Sequence, residues 1–287
     1  VEIGTNMASK RPENCGPPEL FYNEKEAKKY TCNSRMIDIQ VTLAERALEL
    51  LGMSDDEPKF LLDIGCGSGL SGDVLSEAGH YWVGLDISKA MLDVAKEREI
   101  DGDVILHDAG QGLPFRAGSF DGCISVSALQ WLCTSNKKED NPVRRLHTFF
   151  CSLYGCLSRG SKAVFQFYPE NPQQMELVTA QAMRAGFTGG IVVDYPNSSK
   201  AKKIFLCLFT GGNATTLPRG LGEDAAGTVG NEVRFSGKRE RIAKAQWGKA
   251  PKKSKDWIEA KKERRRRQGK ETRHDSKYIG RKRRTIF

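Results

Sequence analysis

The stretch of sequence that decides the fold is Leu61-Leu62-Asp63-Ile64-Gly65-Cys66-Gly67-Ser68-Gly69. It joins a short apolar strand predicted for Phe60 to Ile64 to a helix predicted for Leu70 to Ala78. Alternating glycines at such a junction let the backbone turn sharply and approach a ligand closely. Because ligands of parallel α/β sheets bind at the carboxyl ends of the strands, we expect a ligand at this loop. An ordinary glycine turn is the alternative interpretation.

The charge of the glycine loop indicates which kind of ligand it holds. Residues 63–72 contain no lysine or arginine, whereas a phosphate-binding loop needs a lysine beside the phosphates. The acid Asp63 favours a ligand with positive groups, such as a sulfonium and an ammonium. The glycines are spaced Gly-x-Gly-x-Gly and not Gly-x-Gly-x-x-Gly, which disfavours an NAD-dependent oxidoreductase.

Two further acids follow the next two predicted strands. Asp86 lies about 20 residues after Gly65, where a carboxylate accepts hydrogen bonds from ribose hydroxyls. The alternative for Asp86 is an acid at a helix N-terminus beside Ser88. Asp108 follows the third strand, and we expect it to accept from an adenine amino group. A solvated loop acid is the alternative for Asp108.

Strands and helices alternate along the middle of the chain. Beyond the first pair, the pattern predicts strands over 81–85, 103–107, 120–126 and 163–167, and helices over 88–99, 142–157 and 172–185. Two last strands, 191–194 and 203–209, are predicted to pair antiparallel. A helix over 37–51 precedes the alternation. This order predicts an α/β fold with a mostly parallel sheet and helices on both faces.

Basic residues are concentrated at the C-terminal end. Residues 234–287 contain 22 lysines and arginines against six acids, although the whole chain has a net charge of only +9. Such a tail predicts binding to a polyanion such as RNA, or nuclear import. A merely solvated run of charge is the alternative. Contacts to RNA phosphates would make binding depend steeply on salt.

Changes in composition divide the chain into four parts. Residues 1–6 are interpreted as an expression remnant, because Met7 resembles a natural start. Residues 7–54 are predicted to form a helical segment that covers the cofactor or the substrate. Residues 55–211 form the predicted catalytic domain. Residues 212–287 are predicted to be a basic and largely disordered tail, since glycines interrupt their start and apolar residues are sparse.

Two kinds of site are not expected. The eight cysteines include no CxxC pair, so we expect no zinc or other metal site and reduced thiols of an intracellular protein. No run approaches 18 apolar residues, so we expect no membrane span.

Four features in this order resemble class I S-adenosylmethionine-dependent methyltransferases. They are the glycine loop, Asp86, Asp108 and the segment Ser119–Leu132 around the fourth strand. The resemblance covers roughly residues 55–210. It implies a Rossmann-like sheet of seven strands in the order 3-2-1-4-5-7-6, with strand 7 antiparallel. It also implies S-adenosylmethionine as the cofactor, with contacts from Tyr22, Tyr30, Asp63, Gly65, Cys66, Gly67, Gly69, Asp86, Ile87, Asp108, Ala109 and Ser125.

A closer resemblance rests on the segments Pro17–Tyr22 and Lys29–Thr31, the glycine loop and the basic C-terminus. Together they resemble the eukaryotic 18S rRNA guanine-N7 methyltransferases of the Williams–Beuren syndrome region. This implies a role in making the small ribosomal subunit, in the nucleus and partly in the cytoplasm. It also implies a heterodimer with a small zinc-binding activator. Tyr22 and Tyr30 match the family's cofactor-covering segment, although plain helix packing is the alternative.

The predicted target atom needs no catalytic acid or base. Guanine N7 carries a lone pair and no proton, so methyl transfer requires positioning alone. Exocyclic amines and pyrimidine C5 are disfavoured as targets, because Ser125-Val126-Ser127-Ala128 replaces the Asn/Asp-Pro-Pro-aromatic tetrad and no Pro-Cys dipeptide occurs. These absences fit N7, but they also fit several small-molecule or protein targets. We therefore assign no catalytic residue, not even to His107 or Cys66. Trp131 and Tyr168 are predicted to form the substrate wall, although Trp131 is equally consistent with the core.

Two other functions stay open. One is a small-molecule or protein methyltransferase with a nuclear-localising tail. The other is an assembly factor whose fold matters more than its catalysis.

Overall fold

The computed structural model describes residues 11–53, 57–135, 141–198, 200–211 and 216–222, together with 258, 259, 262, 266, 272, 274 and 275. The chain forms two compact units, residues 1–225 and 226–287. The predicted expression remnant, residues 1–6, lies outside the described residues.

The larger unit alternates helices and strands as the sequence predicts. Its strands are β1 Phe60–Ile64, β2 Tyr81–Asp86, β3 Asp103–Leu106, β4 Phe120–Val126, β5 Leu157–Phe167, β6 Thr188–Asp194 and β7 Lys203–Phe209. Its α-helices are α1 Pro18–Phe21, α2 Glu24–Cys32, α3 Ser34–Leu51, α4 Leu70–Glu77, α5 Lys89–Glu97, α6 Pro142–Cys156 and α7 Pro172–Arg184. Short 3-10 turns are formed by Pro12–Asn14, Ala109–Gln111 and Leu129–Cys133.

The strands form one sheet in the order β3-β2-β1-β4-β5-β7-β6. The first five strands in this order are parallel to one another, and β7 runs antiparallel to both β5 and β6. The predicted order and the antiparallel last pair are therefore confirmed. One difference is that β5 begins at Leu157 and not at residue 163, because Leu157 already pairs with Phe120 across a register shift.

Side-chain caps explain where several helices begin. Asn33 accepts a hydrogen bond from the Met36 amide, so α3 starts three residues before the predicted position. Ser88 caps α5 in the same way, with its hydroxyl oxygen accepting from the Met91 amide. The left-handed Gly52 then ends α3, as the sequence predicts.

Both faces of the sheet are covered, because successive strand residues point to opposite sides. In β1, Leu61 packs with α3 and α4, whereas Leu62 packs on the other face with α6 and α7. The second face is rich in phenylalanine, with Phe149, Phe150 and Phe165 fully buried. Since both layers are apolar, the strands are held rigidly and their carboxyl ends form a fixed platform.

The N-terminal segment packs beside that platform. Ala27 of α2 is buried against Met91 and Val94 of α5. The Ser88 hydroxyl donates to the carbonyl oxygen of Tyr22 at 2.9 Å. The segment is therefore fastened to the element that follows β2.

The larger unit extends past its predicted boundary at residue 211. The buried carboxylate of Asp194 accepts from the Leu221 amide at 2.9 Å and from Arg46 Nε at 2.9 Å. The guanidinium of Arg46 also donates to the carbonyl oxygen of Arg219. A buried charge needs such partners, and residues 216–222 are therefore held against β6 and α3.

Replacing Arg46 with methionine is expected to lower the free energy of unfolding by about 3–5 kcal/mol, because the buried Asp194 carboxylate loses its charged partner. Urea denaturation measures this difference. The control is Glu49→Ala, since Glu49 meets the same guanidinium but its side chain is 67% exposed, and it should cost less than about 1 kcal/mol. Equal losses for both variants would contradict the assignment.

The smaller unit contains part of the basic tail. Its described residues 258, 259, 262 and 266 are helical, although a largely disordered tail is predicted. Lys262 Nζ and the guanidinium of Arg266 pair with Asp275 at 3.0 and 2.5 Å. Arg266 and then Lys262 hold the pKa of this carboxyl below its usual value. Most of the predicted tail lies outside the described residues.

Candidate active site

A cavity of about 390 Å³ lies at the carboxyl ends of β1, β2 and β4. This volume is within the range of pockets that enclose a small molecule. Four of its walls are formed by the residues that follow β1, β2, β3 and β4, which are 64–68, 85–87, 107–109 and 126–129. The fifth wall is formed by the N-terminal segment, through residues 17–19, Tyr22 and Tyr30. The ligand site predicted from the glycine loop therefore coincides with a cavity.

The glycine loop lies close to the opposite wall. Gly65 and Gly67 have left-handed φ angles of 74° and 54°, which side chains rarely adopt. A Cβ atom on Gly65 would lie 2.3 Å from the Cβ of Ala128. The amides of Gly65 and Cys66 donate to the carbonyl oxygen of Leu85 at 2.7 and 3.1 Å. The loop is thus fixed, and only glycine at position 65 leaves it in place.

Asp86 lies at the centre of the cavity wall between the glycine loop and α5. Its Oδ2 accepts from the Gly67 amide at 2.9 Å, and its Oδ1 accepts from the Ser88 amide at 2.7 Å. Each carboxylate oxygen has a second lone pair for a ligand. Desolvation raises the pKa of Asp86 to about 6, although the backbone hydrogen bonds lower it. The carboxylate is therefore ionised and oriented at neutral pH.

Asp63 lies fully buried below the loop, outside the cavity lining. Its Oδ2 accepts from the Ser71 hydroxyl at 2.5 Å, but its Oδ1 has no hydrogen-bond partner among the described residues. Desolvation, and the charge of Asp86 to a smaller extent, raise the pKa of Asp63 to about 7. Its neighbours Ile64 and Ser71 do line the cavity. The negative charge of Asp63 below the loop, when it is ionised, suits a ligand with a positive group.

Asp108 reaches the cavity wall together with an arginine that the sequence analysis missed. Its Oδ1 accepts from the Gly110 amide at 2.9 Å and from the Arg145 guanidinium at 2.8 Å. Both Asp108 and Arg145 line the cavity. The ion pair with Arg145 fixes the orientation of the Asp108 carboxylate. An adenine amino group that donates to Asp108 Oδ1 would therefore share this oxygen with Arg145. No motif marks Arg145, which lies in an ordinary amphipathic helix.

Other predicted cofactor residues have different positions. Ile87 and Ala109 line the cavity as expected. Ser125 does not, because its fully buried hydroxyl donates to the carbonyl oxygen of Ile64 at 2.7 Å, and this corrects its predicted role. Gly69 is also outside the lining, and its left-handed backbone begins α4. Ser125 and Gly69 therefore support the strand ends and the start of α4 without lining the cavity.

The wall after β4 depends on Ser127, which lies in the segment that carries the family resemblance, and on Gln166, which carries no signal in the sequence. Ser127 lines the cavity and has a left-handed φ of 58°, a strained conformation for a serine. Its amide donates to the main-chain oxygen of Gln166 at 2.9 Å, and its hydroxyl donates to Gln166 Oε1 at 2.8 Å. Gln166 is fully buried. It therefore holds the turn that packs Ala128 against Gly65.

Aromatic side chains form the wall toward the N-terminal segment. The ring of Tyr22 lies 5.8 Å from that of Trp131 and 5.9 Å from that of Tyr30, and all three residues line the cavity. Tyr168 lies outside the lining. Its hydroxyl accepts from Lys203 Nζ at 3.3 Å. The predicted substrate wall is thus formed in part, with Trp131 in the cavity and Tyr168 beside it.

Neither the two tyrosines nor the cysteine of the cavity is poised to ionise. Desolvation raises the pKa of Tyr22 to about 12 and raises that of Tyr30 further, so both phenols stay protonated. Burial also raises the pKa of the Cys66 thiol well above its usual value. His107 Nε2 lies 2.6 Å from the carbonyl oxygen of Gly112, so this nitrogen carries a proton. The phenols and the thiol are therefore unsuited to accept a proton or to act as a nucleophile.

The chain matches two protein-family models. Residues 62–165 match a methyltransferase domain, and residues 208–285 match the methyltransferase involved in Williams–Beuren syndrome. The chain is also 61% identical to the mouse 18S rRNA (guanine-N(7))-methyltransferase over 97% of its length and 99% of the mouse protein. The chain belongs to this methyltransferase family. The prediction of an S-adenosylmethionine-dependent rRNA methyltransferase is therefore confirmed.

The methyltransferase has relatives across distant eukaryotes. It is 46% identical to the 18S rRNA (guanine(1575)-N(7))-methyltransferase of Saccharomyces cerevisiae, over 96% of this chain and 99% of the yeast protein. Among solved structures, it resembles the phosphoethanolamine N-methyltransferase 2 of Haemonchus contortus with a TM-score of 0.51 and 19% identity. That match covers 67% of this chain and 58% of the other. This second likeness shows the fold alone.

Membrane-spanning helices and clusters of metal ligands are both absent from the part of the methyltransferase that the structure describes. No described helix is both long and apolar enough to span a bilayer. Within the same residues, no cluster of three histidine, cysteine or acidic side chains is arranged to hold a metal ion.

Cofactor binding is expected to weaken as the pH falls through about 7 and then 6. Asp63 and Asp86 accept hydrogen bonds as carboxylates, and their raised pKa values mean that they become protonated in this range. The Kd of S-adenosylmethionine should rise by about tenfold or more between pH 7.5 and roughly pH 5. Titration calorimetry measures this, and Asp86→Asn should flatten the part of the profile near pH 6.

Proposed function

We propose that the chain methylates N7 of a guanine in 18S rRNA while the small ribosomal subunit is being made. The observation that carries this is the cavity at the ends of β1 and β2, with the Asp86 carboxylate in its wall, in a chain of this family. The bound cofactor, S-adenosylmethionine, supplies a methyl group on a positively charged sulfur.

The cavity residues fit that cofactor. The backbone of Gly65 to Gly67 lines the cavity and would hold its amino-acid end, while Gly65 packs against Ala128 where a Cβ has no room. Asp63 lies buried below the loop, outside the cavity lining, and would favour the ammonium through its charge. Asp86 would accept from the ribose hydroxyls, and Asp108 would face the adenine. The three carboxylates also favour a cationic ligand.

The protein's task in the reaction is positioning. Guanine N7 attacks with its own lone pair, so no residue needs to remove a proton. Ser127 and Ala128 support the wall near the reacting carbon, and Gln166 keeps that wall in its strained turn. Trp131 and Tyr22 exclude water on the side of the cavity that faces the N-terminal segment. Placing two reactants in such a geometry lowers the barrier without acid–base chemistry.

We also propose that the basic tail binds RNA phosphates and directs the chain to the nucleus. The 22 basic residues among 234–287 support a salt-dependent contact with RNA. Deleting residues 252–287 should reduce the salt dependence of rRNA binding and the nuclear fraction of a fluorescent fusion. An unchanged salt slope would contradict RNA contact by the tail.

A heterodimer with a small zinc-binding activator is a further part of the proposal. Its support is the resemblance of residues 17–31, the glycine loop and the basic C-terminus to the family. Co-expression followed by size-exclusion chromatography tests it. A chain that elutes as a monomer beside the activator would contradict it.

The proposed target is tested by mapping rRNA. N7-methylguanine is cleaved by aniline after reduction, and primer extension then locates the break in 18S rRNA. We expect one break to vanish in cells that lack the chain and to return with the wild-type gene. A break that persists without the chain would contradict the target. If the Asp86→Lys variant restores subunit production without restoring the break, the fold serves assembly apart from catalysis.

A further inference from the structure

A chain of three polar side chains reaches the cavity beside the end of β4, and one of them has no role in the site described so far. Gln166 of β5 is fully buried, and its Oε1 accepts from the amide and the hydroxyl of Ser127 at 3.1 and 2.8 Å. Gln40 of α3 donates from its Nε2 to the Ser127 hydroxyl oxygen at 3.5 Å. Gln40 and Ser127 both line the cavity, whereas Gln166 lies outside the lining.

These contacts fix the direction in which the Gln40 amide points. Both hydrogens that Ser127 can donate go to Gln166, so the Ser127 hydroxyl oxygen is left as an acceptor. Turning the Gln166 amide over would place its Nε2 donor against those two hydrogens, although this nitrogen is buried without a partner among the described residues. The Gln40 nitrogen therefore faces Ser127. The Gln40 oxygen has no partner among the described residues, and the half-buried side chain leaves it available to a ligand.

The order of the strands places Gln40 on the substrate side of the cavity. Asp86 and Asp108, which would bind the ribose and the adenine, lie at or after the ends of β2 and β3, whereas Ser127 follows β4. In the sheet, β1 lies between β2 and β4. Since neighbouring strands are about 4.8 Å apart, the ends of β2 and β4 are separated by about 10 Å. A cofactor that extends from β3 toward β1 leaves the region beside β4 for the base that receives the methyl group.

An amide held in this orientation is complementary to guanine. With one Nε2 hydrogen directed at Ser127, Gln40 keeps its second amide hydrogen beside Oε1, so it presents a donor and an acceptor side by side. Guanine presents the matching acceptor O6 and donor N1–H on one edge, and N7 lies beyond O6 and stays free. Adenine presents the opposite pattern, an amino group and an N1 lone pair. Bases taken out of their stack are read at this edge and stacked on aromatic rings, and Trp131 lines the same cavity.

We propose that Gln40 selects guanine by donating a hydrogen bond to O6 and accepting one from N1–H of the target base. The inference rests on the proposed function and names the residue that makes that function specific for guanine. Ser127 and Gln166 are positioning residues, because they hold the Gln40 amide in the orientation that matches guanine and opposes adenine.

The test compares guanine with 2-aminopurine, which keeps N7 and the N2 amino group but lacks O6 and N1–H. Full-length wild type and Gln40→Met are assayed on rRNA that carries either base at the mapped position. For wild type, kcat/KM should fall by about 100-fold or more from guanine to 2-aminopurine, because the amide is left without its two partners. In Gln40→Met this ratio should be at least about tenfold smaller than in wild type. Differences in the intrinsic reactivity of the two bases cancel when the ratios of the two proteins are compared.

Two further measurements separate recognition of the O6 edge from other effects. Inosine lacks only the N2 amino group, which Gln40 does not contact, so the guanine-to-inosine ratio should be equal in wild type and Gln40→Met. In Ser127→Gly, glycine adopts the left-handed φ of 58° readily but offers no hydroxyl to orient the amide. Its guanine-to-2-aminopurine ratio should lie between those of wild type and Gln40→Met. A wild-type ratio in Ser127→Gly would overturn the positioning role of Ser127.

Folding is controlled in the same experiment. Gln40→Met should keep the wild-type melting temperature and the wild-type Kd for S-adenosylmethionine. Thr42→Met, at an exposed position of the same helix, should keep the wild-type guanine-to-2-aminopurine ratio. A wild-type ratio in Gln40→Met would overturn the role of Gln40 while leaving the proposed function intact. If wild type forms no N7-methylguanine, the proposed function fails and the inference fails with it.

Discussion

Replacing Asp86 with alanine is expected to raise the Kd of S-adenosylmethionine by about 100-fold or more. Two charge-assisted hydrogen bonds to ribose hydroxyls would be lost, and each contributes about 1.5–3 kcal/mol. The amides of Gly67 and Ser88 would also lose their acceptor. The glycine loop would then be held less firmly. Titration calorimetry of the purified chain measures the change directly.

A matched control for this variant is Asp121→Ala. The Asp121 carboxylate also accepts from a backbone amide, that of Phe60 at 2.9 Å, but it lies at the far end of β1 from the cavity. Sequence analysis makes no ligand assignment for it. Cofactor affinity should therefore stay within about twofold of wild type. Equal affinity losses for both aspartates would mean that Asp86 acts only through the fold.

Replacing Gly65 with alanine is expected to lower kcat/KM by about 100-fold. The new Cβ would overlap the Cβ of Ala128, so the glycine loop or the wall after β4 must shift. A displacement of about 1 Å at a positioning site costs roughly this factor. Single-turnover methylation and cofactor titration together show whether binding or the chemical step suffers.

The chain supplies a control for the backbone effect of this substitution. Gly79 has a φ of 80°, close to that of Gly65, but a Cβ there would meet no atom within 4 Å. Both alanine variants should lose about 1–2 kcal/mol in free energy of unfolding, because alanine disfavours the left-handed conformation. Gly79→Ala should nevertheless keep the wild-type activity. Adding Ala128→Gly to Gly65→Ala should restore much of the lost activity. If Gly65→Ala behaves like Gly79→Ala, close packing of the loop is unimportant.

Much of the fold is predictable from local patterns. The strand β1, the glycine loop and α4 follow from an apolar run, three glycines and a helical repeat. These signals lie within a few residues of one another and need no distant contact. The sheet order 3-2-1-4-5-7-6 is different, since it follows from the family resemblance and no local pattern specifies it. The observed ends of helices differ from the predicted ends where a capping side chain decides them. Asn33, for example, caps α3 at its N-terminus.

The parts of the site that were missed depend on distant contacts. Arg145 meets Asp108 only because α6 packs beside the turn after β3. Gln166 meets Ser127 only because β5 lies beside β4. Neither contact leaves a mark in the local sequence. Ser125 is predicted as a cofactor contact from the family resemblance, but its hydroxyl donates to the carbonyl oxygen of Ile64 in β1.

The N-terminal segment contains both residues that the sequence predicts and one that it does not mark. Tyr22 and Tyr30 were predicted from resemblance, and both line the cavity. Glu13 carries no signal in a polar stretch, and its burial and its unpartnered Oε2 are visible only in the structure. A buried charge is visible in three dimensions and not in composition.

The most direct test of the central claim is a crystal structure of the chain grown with S-adenosylmethionine. We predict both ribose hydroxyls within about 3 Å of the Asp86 carboxylate, and the amino-acid end against the backbone of Gly65 and Gly67. A donor bound at any other place on the chain, or bound in the cavity without contact to Asp86, would contradict the account.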